Sequence, residues 1–352
     1  MNEIYLNACS HGLPSADTVA RMRAHLDLEL ELGPLAALQA VADELSDVRT
    51  RAEHLISASP GTVGLAATTF SSWLSIVARL PIAGKRLLVA PHEWGENIAA
   101  LRVLADNAGG TVETLPELNL SAPDLAAWSA CIDEDVAAVF TPYISSVAGL
   151  RYPVEAIGAL PRPENTLVIV DGAQALGQTP IDVSQMGCDV LVATCRKWLR
   201  GPRGTAVLWI ADPDRHGFSI KEVEPFDANI ALRLGLGAAI KEATLQSVEK
   251  IEHRVQSLAR HAHALALQDD VMPLGEAPPI SGACSVYVPS QRRERLQNAL
   301  NEAGIHIKWP DAGQDEPASE TGKADHAIMR ISPHVYNSTD DIDAVFDLLR
   351  AS

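Results

Sequence analysis

The stretch VIVDGAQALGQTPIDVSQMGCDVLVATCRKWLRGPRG, residues 168–204, decides how the chain is read. Val168, Ile169 and Val170 form a β-branched run that ends at Asp171-Gly172. A short apolar run closed by turn residues reads as a strand buried on both faces. A second run, Asp189 to Ala193, ends at Thr194-Cys195-Arg196-Lys197. The turn cluster Gly201-Pro202-Arg203-Gly204 leads to a third apolar run, Thr205 to Ile210. Residues at the carboxyl ends of strands in an open α/β sheet face the crevice where ligands bind. The spacing therefore predicts an acid, Asp171, and an amine, Lys197, at the ends of two strands of one sheet.

Taken singly, charged residues at such positions are usually just solvated. As a pair they suit pyridoxal phosphate, which needs a lysine for its Schiff base and a carboxylate to keep the ring nitrogen protonated. The longer wording, D-G-A-Q-x-x-G-x-x-P-I-D, then G-x-D, then R-K-W-L-x-G-P-R-G, resembles the class V aminotransferase family, which includes the cysteine desulfurases. The resemblance implies a fold type I, α/β enzyme: a large domain with a mainly parallel mixed sheet between helices, and a smaller α+β C-terminal domain. It implies a large domain over 15–240 and a small one built from 1–14 and 241–352. Lys197 is then the Schiff-base lysine, Asp171 the partner of the ring nitrogen, Gln174 that of the ring hydroxyl, and Thr194 a phosphate contact. Arg196 stands where the family usually has His.

Other stretches extend the resemblance. Ala67-Thr68-Thr69 follows a short strand and opens a helix, an arrangement whose backbone N–H groups and dipole favour an anion; Thr68 and Thr69 are candidate phosphate contacts. The bland alternative is a Thr N-cap. After the strand Leu87 to Ala90, Glu93, Trp94 and Asn97 match the family's acid, aromatic or His, then x-x-Asn, which makes Trp94 the residue stacked on the ring. Ser146 replaces the family's Asn at the end of the strand Val136 to Phe140. The opening Y-L-N motif puts Asn7, Ser10 and His11 near substrate. The C-terminal wording M-R-I-S-P-H-V-Y-N-S-T-D-D-I-D makes Arg330 the residue for the substrate carboxylate, which a guanidinium fork fits. Helices are predicted at Ser15 to Leu30, Leu35 to Ile56, 98–108, 121–131, Pro153 to Leu160, Leu245 to Leu267, Arg292 to Ala303 and Ser338 to Leu349. Residues 311–325 read as a loop.

Size and composition bound the rest. With 352 residues, 47% hydrophobic and 21% charged, the chain can bury a large core and hold two domains. A net charge of −17 argues against nucleic acid or an anionic membrane as partner. The five cysteines form no C-x-x-C pair, so neither a disulfide framework nor a zinc site is expected. The start, MNEIYLNACS, lacks the basic and apolar regions of a signal peptide, and a cytoplasmic setting is expected. The resemblance implies a homodimer, to which the apolar PFDANIALRLGLG segment would contribute.

The reaction is less specified than the cofactor. Removal of an amino-acid substrate's α-proton by Lys197 leads to β-elimination, transamination or epimerisation. Cysteine desulfurases carry a nucleophilic cysteine on the loop before the C-terminal Arg strand, and residues 311–325 contain none. The R-K-W-L-x-G-P-R-G wording is similar to C–S lyases. The expectation is therefore β-elimination from a cysteine-derived substrate without a protein persulfide. A transaminase or epimerase is the alternative, and a non-catalytic cofactor-binding protein a further one.

Overall fold

In the computed structural model, residues 3–214, 219–220, 224, 227–269, 271–275, 277–316 and 325–351 are described. After β1 (Ile4–Tyr5), seven strands make the main sheet: β2 (Val63–Ala66), β3 (Arg86–Val89), β4 (Thr111–Thr114), β5 (Val136–Pro142), β6 (Leu167–Asp171), β7 (Val190–Thr194) and β8 (Ala206–Ile210). Their order is β2-β8-β7-β6-β5-β3-β4. The pairs β4–β3, β3–β5, β5–β6 and β6–β7 are parallel, whereas β8 runs antiparallel to both β7 and β2. Residues 195–205 fold straight back without the crossover that a parallel partner needs. That returning connection carries Lys197 at the carboxyl end of β7.

The apolar strands are buried because both faces are covered. Along β6, Val168 and Val170 pack into one cluster with Leu176, Ile240 and Trp198. Leu167 and Ile169 pack into another with Trp73, Phe140 and Leu101. Alternation of side chains along a strand sends them to opposite faces. A third cluster unites Leu6 with residues from Leu258 to Leu349, around the sheet β12-β10-β9. In it β9 is Met272–Pro273 and β10 is Cys284–Pro289; β11, Ile305–His306, pairs in parallel with β1, and β12 is His326–Ile331. The helix Val248–Gln268 joins the clusters: Ile251 and Val255 belong to the first, Leu258 and Ala262 to the third.

Several predicted elements differ. The helix expected over 35–56 is two, Pro34–Ala40 and Ala42–Leu55, broken at Val41. The helix expected over 121–131 covers only Ala126–Cys131. A short helix, Ala312–Asp315, lies in the expected loop 311–325, of which 317–324 fall outside the described residues. The largest difference is Ile230–Gln246, a helix that buries Leu234, Leu236, Ile240 and Ala243 within its own chain. Within the segment expected at a subunit contact, Ala231, Leu234 and Leu236 are thus used inside the protomer, while Ala228, Ile230 and Leu232 are half-buried; Pro225 and Phe226 lie outside the described residues. No described helix is long and apolar enough to cross a membrane, and no described group of three His, Cys, Asp or Glu could hold a metal.

Candidate active site

A cavity of about 550 Å³ opens at the carboxyl ends of β5, β6 and β7. Asp171, Gln174, Thr194 and Lys197 line it together with Thr68, Thr69, Trp94 and Arg330. Five segments far apart in sequence thus meet at one place. Sheet register brings them together: Pro142 lies beside Asp171, and Asp171 beside Val192.

Lys197 is half-buried and has no hydrogen-bond or ion-pair partner among the described residues; its Nζ lies 6.0 Å from the centroid of the Trp94 ring. Burial pushes its amine down to about 8, with Arg196 and Arg330 adding to the fall and Asp171 opposing it. Asp171 accepts the Ala173 N–H on Oδ1 at 2.7 Å and the Asn97 amide on Oδ2 at 3.1 Å. Burial pushes its carboxyl up, while Lys197, those two donors and Arg196 pull it back. Next to it, Glu93 is pushed up to about 8, first by burial and then by the Asp171 charge. Of the two acids, Asp171 carries the charge, since the cations Lys197 and Arg196 are on its side.

Arg330 sits next to the end of β12, 3% exposed. Its Nη1 donates to the Ser146 carbonyl at 2.7 Å and its Nη2 to Ser10 Oγ at 2.8 Å. Nε is buried without a partner, and no described acid pairs with the guanidinium. A buried cation without a counter-ion is costly unless a ligand supplies one. A carboxylate is the ligand that a guanidinium edge matches.

The anion side is formed by the first turn of the helix Thr69–Val77, with Thr194, Arg196 and Arg203. Thr68 acts as that helix's N-cap, its Oγ1 accepting the Ser71 N–H at 2.9 Å, so cap and cavity wall share one residue. Thr69 Oγ1 is buried and unpartnered. Arg196 donates to Thr194 Oγ1 at 2.9 Å and makes no ion pair among the described residues.

Three assignments change in detail. The Gln174 amide already donates to the Cys9 carbonyl and Ser146 Oγ, both at 3.1 Å, and its Oε1 accepts the Trp198 indole N–H at 2.8 Å. It braces the N-terminal loop as well as facing the cavity. Asn7 and His11 are not among the lining residues; Cys9 and Ser10 of the same loop are. Asn7 instead pairs with Ser332 and accepts the Ser10 and His11 N–H groups on its carbonyl. The loop tightens there, and Cys9 and Ser10 reach the cavity wall. The imidazole of His11 is pushed down by burial, then by Arg203 and Arg196.

Cys9, Lys308 and Asp315 line the cavity without having been expected there. Lys308 arrives by bridging to Arg330, a register that no local pattern reveals. Asp315 belongs to the short helix seated on the start of the helix Gly95–Asn107. A Cβ at Gly95 would stand 1.6 Å from the Gln314 carbonyl, so the lack of a side chain there permits the contact. Gly95 sits just before Glu96, and a small residue ahead of a helix was the available signal.

A free amine, an ionised acid at a strand end, an anion cradle and an unpaired guanidinium fit pyridoxal phosphate with an amino acid bound to it. The fold is that of a fold type I pyridoxal-phosphate enzyme. The chain belongs to the class V aminotransferase family, whose model matches residues 37–219 and 221–345. A protein of Xylella fastidiosa named "Probable cysteine desulfurase" is 28% identical over 64% of this chain, which spans 60% of that protein. A Mycobacterium tuberculosis protein named "Probable hercynylcysteine sulfoxide lyase" is 26% identical over 98% of this chain and 88% of its own length. In fold, the chain is similar to a cystine C–S lyase solved with its product cysteine persulfide. The TM-score is 0.87 at 20% identity, covering 99% of this chain and 97% of that one. Pyridoxal phosphate is the cofactor.

Proposed function

We propose that this enzyme breaks a carbon–sulfur bond of an S-substituted cysteine, or its sulfoxide, by β-elimination and without a persulfide on the protein. The observation that carries the reading is the Lys197 amine: lining the cavity without a hydrogen-bond or ion-pair partner among the described residues and pushed down to about 8, it has a deprotonated fraction near neutral pH that can take an α-proton. Pyridoxal phosphate, when bound, supplies an aldehyde for amino groups and a ring that takes up the electron pair left on the α-carbon. Asp171 keeps its charge against the ring nitrogen. Arg330 holds the substrate carboxylate and so fixes the direction in which the α-proton and the sulfur point. The sulfoxide lyase named above, similar over nearly the whole chain, supports this substrate class.

The cysteines support the absence of a persulfide. The thiols of Cys188, Cys195 and Cys284 are pushed up to about 12 by burial, which leaves them poor nucleophiles. Cys9 is in the cavity wall but 3% exposed, and its backbone is pinned by Ser332 Oγ and the Gln174 amide. A backbone so held keeps Cys9 off a swinging loop of the kind that would carry sulfur outward.

The deciding experiment is product partition with a cysteine S-conjugate and no keto-acid acceptor. The expected outcome is sustained release of thiol or sulfenate with pyruvate and ammonia, unchanged in Cys9→Ser. One turnover that restarts on addition of a keto acid would identify a transaminase, and racemised substrate an epimerase. Absence of any product would leave a cofactor-binding protein, and loss of sulfur release in Cys9→Ser a desulfurase.

Arg330→Ala is expected to raise the substrate KM roughly 10- to 100-fold, the worth of one or two charge-assisted hydrogen bonds. Arg330→Lys should not restore it, because a single ammonium cannot replace the fork. Decarboxylated amines turned over as well as amino acids would refute the assignment.

A homodimer belongs to the same reading. It is supported by leucines exposed on the first two helices, Leu30 at 89% and Leu35 at 79%, with Leu26 and Leu32 beside them. Light scattering should give twice 37.6 kDa; an active monomer would contradict it.

A further inference from the structure

Beyond β3 the chain turns through His92 and Glu93 into the helix Gly95–Asn107. The turn carries Glu93 inward to 1% exposure. Asn97, four residues on and so on the same side, donates from Nδ2 to Glu93 Oε1 at 2.9 Å and to Asp171 Oδ2 at 3.1 Å. The same Glu93 oxygen accepts the Trp94 N–H at 3.0 Å. One amide thus bridges the buried Glu93 carboxyl and the half-buried Asp171 carboxyl.

The surroundings decide which of them is ionised. Glu93 faces Asp171, with Glu316 and the Tyr152 phenol also near. No described Lys or Arg hydrogen-bonds or ion-pairs with Glu93, whereas Lys197 and Arg196 both act on Asp171. Two carboxylates this close in a dry corner, with cations on one side only, do not both ionise. Once Lys197 is engaged by the cofactor, the need for a neutral neighbour grows.

We propose that Glu93 is a positioning residue that works as a neutral acid, fixing the Asn97 amide against Asp171 and thereby setting how strongly Asp171 holds the proton of the cofactor's ring nitrogen. The proposal rests on the pyridoxal-phosphate reading. A fixed Asn97 donor stabilises the charged form of Asp171. Without it the carboxyl rises and the proton shifts from the ring toward Asp171, so the ring draws electrons less well. Substrate carboxylate binding at Arg330 is untouched.

The test uses the holoenzyme and reads two quantities: steady-state kinetics, and the pH titration of the bound cofactor's visible absorption band. Glu93→Ala is expected to lower kcat roughly 10- to 100-fold, the worth of one hydrogen bond to a charged group, with little change in KM. It should also move the band's titration midpoint. Glu93→Gln, neutral and of the same shape, should restore both toward wild type. If Glu93→Ala does not fold, Asn97→Ala should reproduce the kcat loss and the shift. Glu93→Gln as impaired as Glu93→Ala would overturn the proposal, since it would mean that a charge is needed. A wild-type band and rate in Glu93→Ala or Asn97→Ala would overturn it too. A wild type that takes up no pyridoxal phosphate would remove the cofactor reading and this proposal with it. Variants that depart from expectation beside a normal wild type count against the proposal alone.

Discussion

Lys197→Ala is expected to abolish borohydride-fixable cofactor and to lower turnover by at least about 10²–10⁴-fold, the usual contribution of a positioned acid–base group. The amine has two tasks, holding the cofactor and moving the α-proton, and no other described lysine but Lys308 lines the cavity. Lys308 is anchored by backbone pairing to Arg330 and belongs to a different wall. Near-normal turnover in Lys197→Ala would sink the assignment.

The same substitution carries a stability consequence whose sign follows from the depressed amine. An unfolded lysine titrates near 10.5 and Lys197 in the folded chain near 8. Between those values the unfolded chain binds more protons, so stability of the cofactor-free protein rises with pH through that window. Below it the folded state bears the full cost of a buried charge. Cofactor-free Lys197→Ala should therefore melt at the same or a higher temperature than cofactor-free wild type at pH 7, and lose that pH dependence between 8 and 10.5. Equal slopes in both proteins would show that the amine is not held at a depressed value.

Asp171→Ala should retain part of the cofactor affinity while kcat falls about 10²–10³-fold, the scale for one preorganised charge removed from a dry site. The carboxylate is fixed by the Ala173 N–H and the Asn97 amide, so its charge needs no reorganisation during reaction. Asp171→Asn keeps the shape without the charge and should lose nearly as much. Turnover close to wild type in either variant, measured on cofactor-saturated protein, would refute the role. Cofactor content and turnover must be read separately, because the Thr69 and Thr194 side of the cavity is untouched by the change.

What the sequence by itself determined are features with a local cause. The runs at Val168–Val170, Val190–Ala193 and Ala206–Ile210 had to be covered on both sides, and all are buried strands. Ser15 announced a helix start, and its Oγ does accept the Thr18 N–H. The wording around Asp171 and Lys197 carried the family and the cofactor, because strand ends and their turns keep both position and chemistry in a short span. The helix Ile230–Gln246 escaped for the opposite reason. It is apolar on several sides and contains Gly235 and Gly237, so it presents neither an amphipathic stripe nor high propensity. Its stability comes from packing against the helices Ala16–Leu32 and Ala42–Leu55, which only the folded chain supplies.

The tertiary structure alone decided which polar atoms of the site are engaged. Arg330 meets Ser10 across 320 residues and Ser146 across 184, and Asn97 meets Asp171 across 74. Sequence distance says nothing about such pairs; strand order, register and the inward turn of a loop set them. The same geometry kept Ser10 at the wall, added Cys9, left Asn7 and His11 outside it, and joined Glu93 to Asp171 through a single amide. The kinds of residue were legible because each chemical task restricts the side chains that can perform it. Their protonation and partners were not, because burial and neighbouring charge exist only after the chain has closed around them.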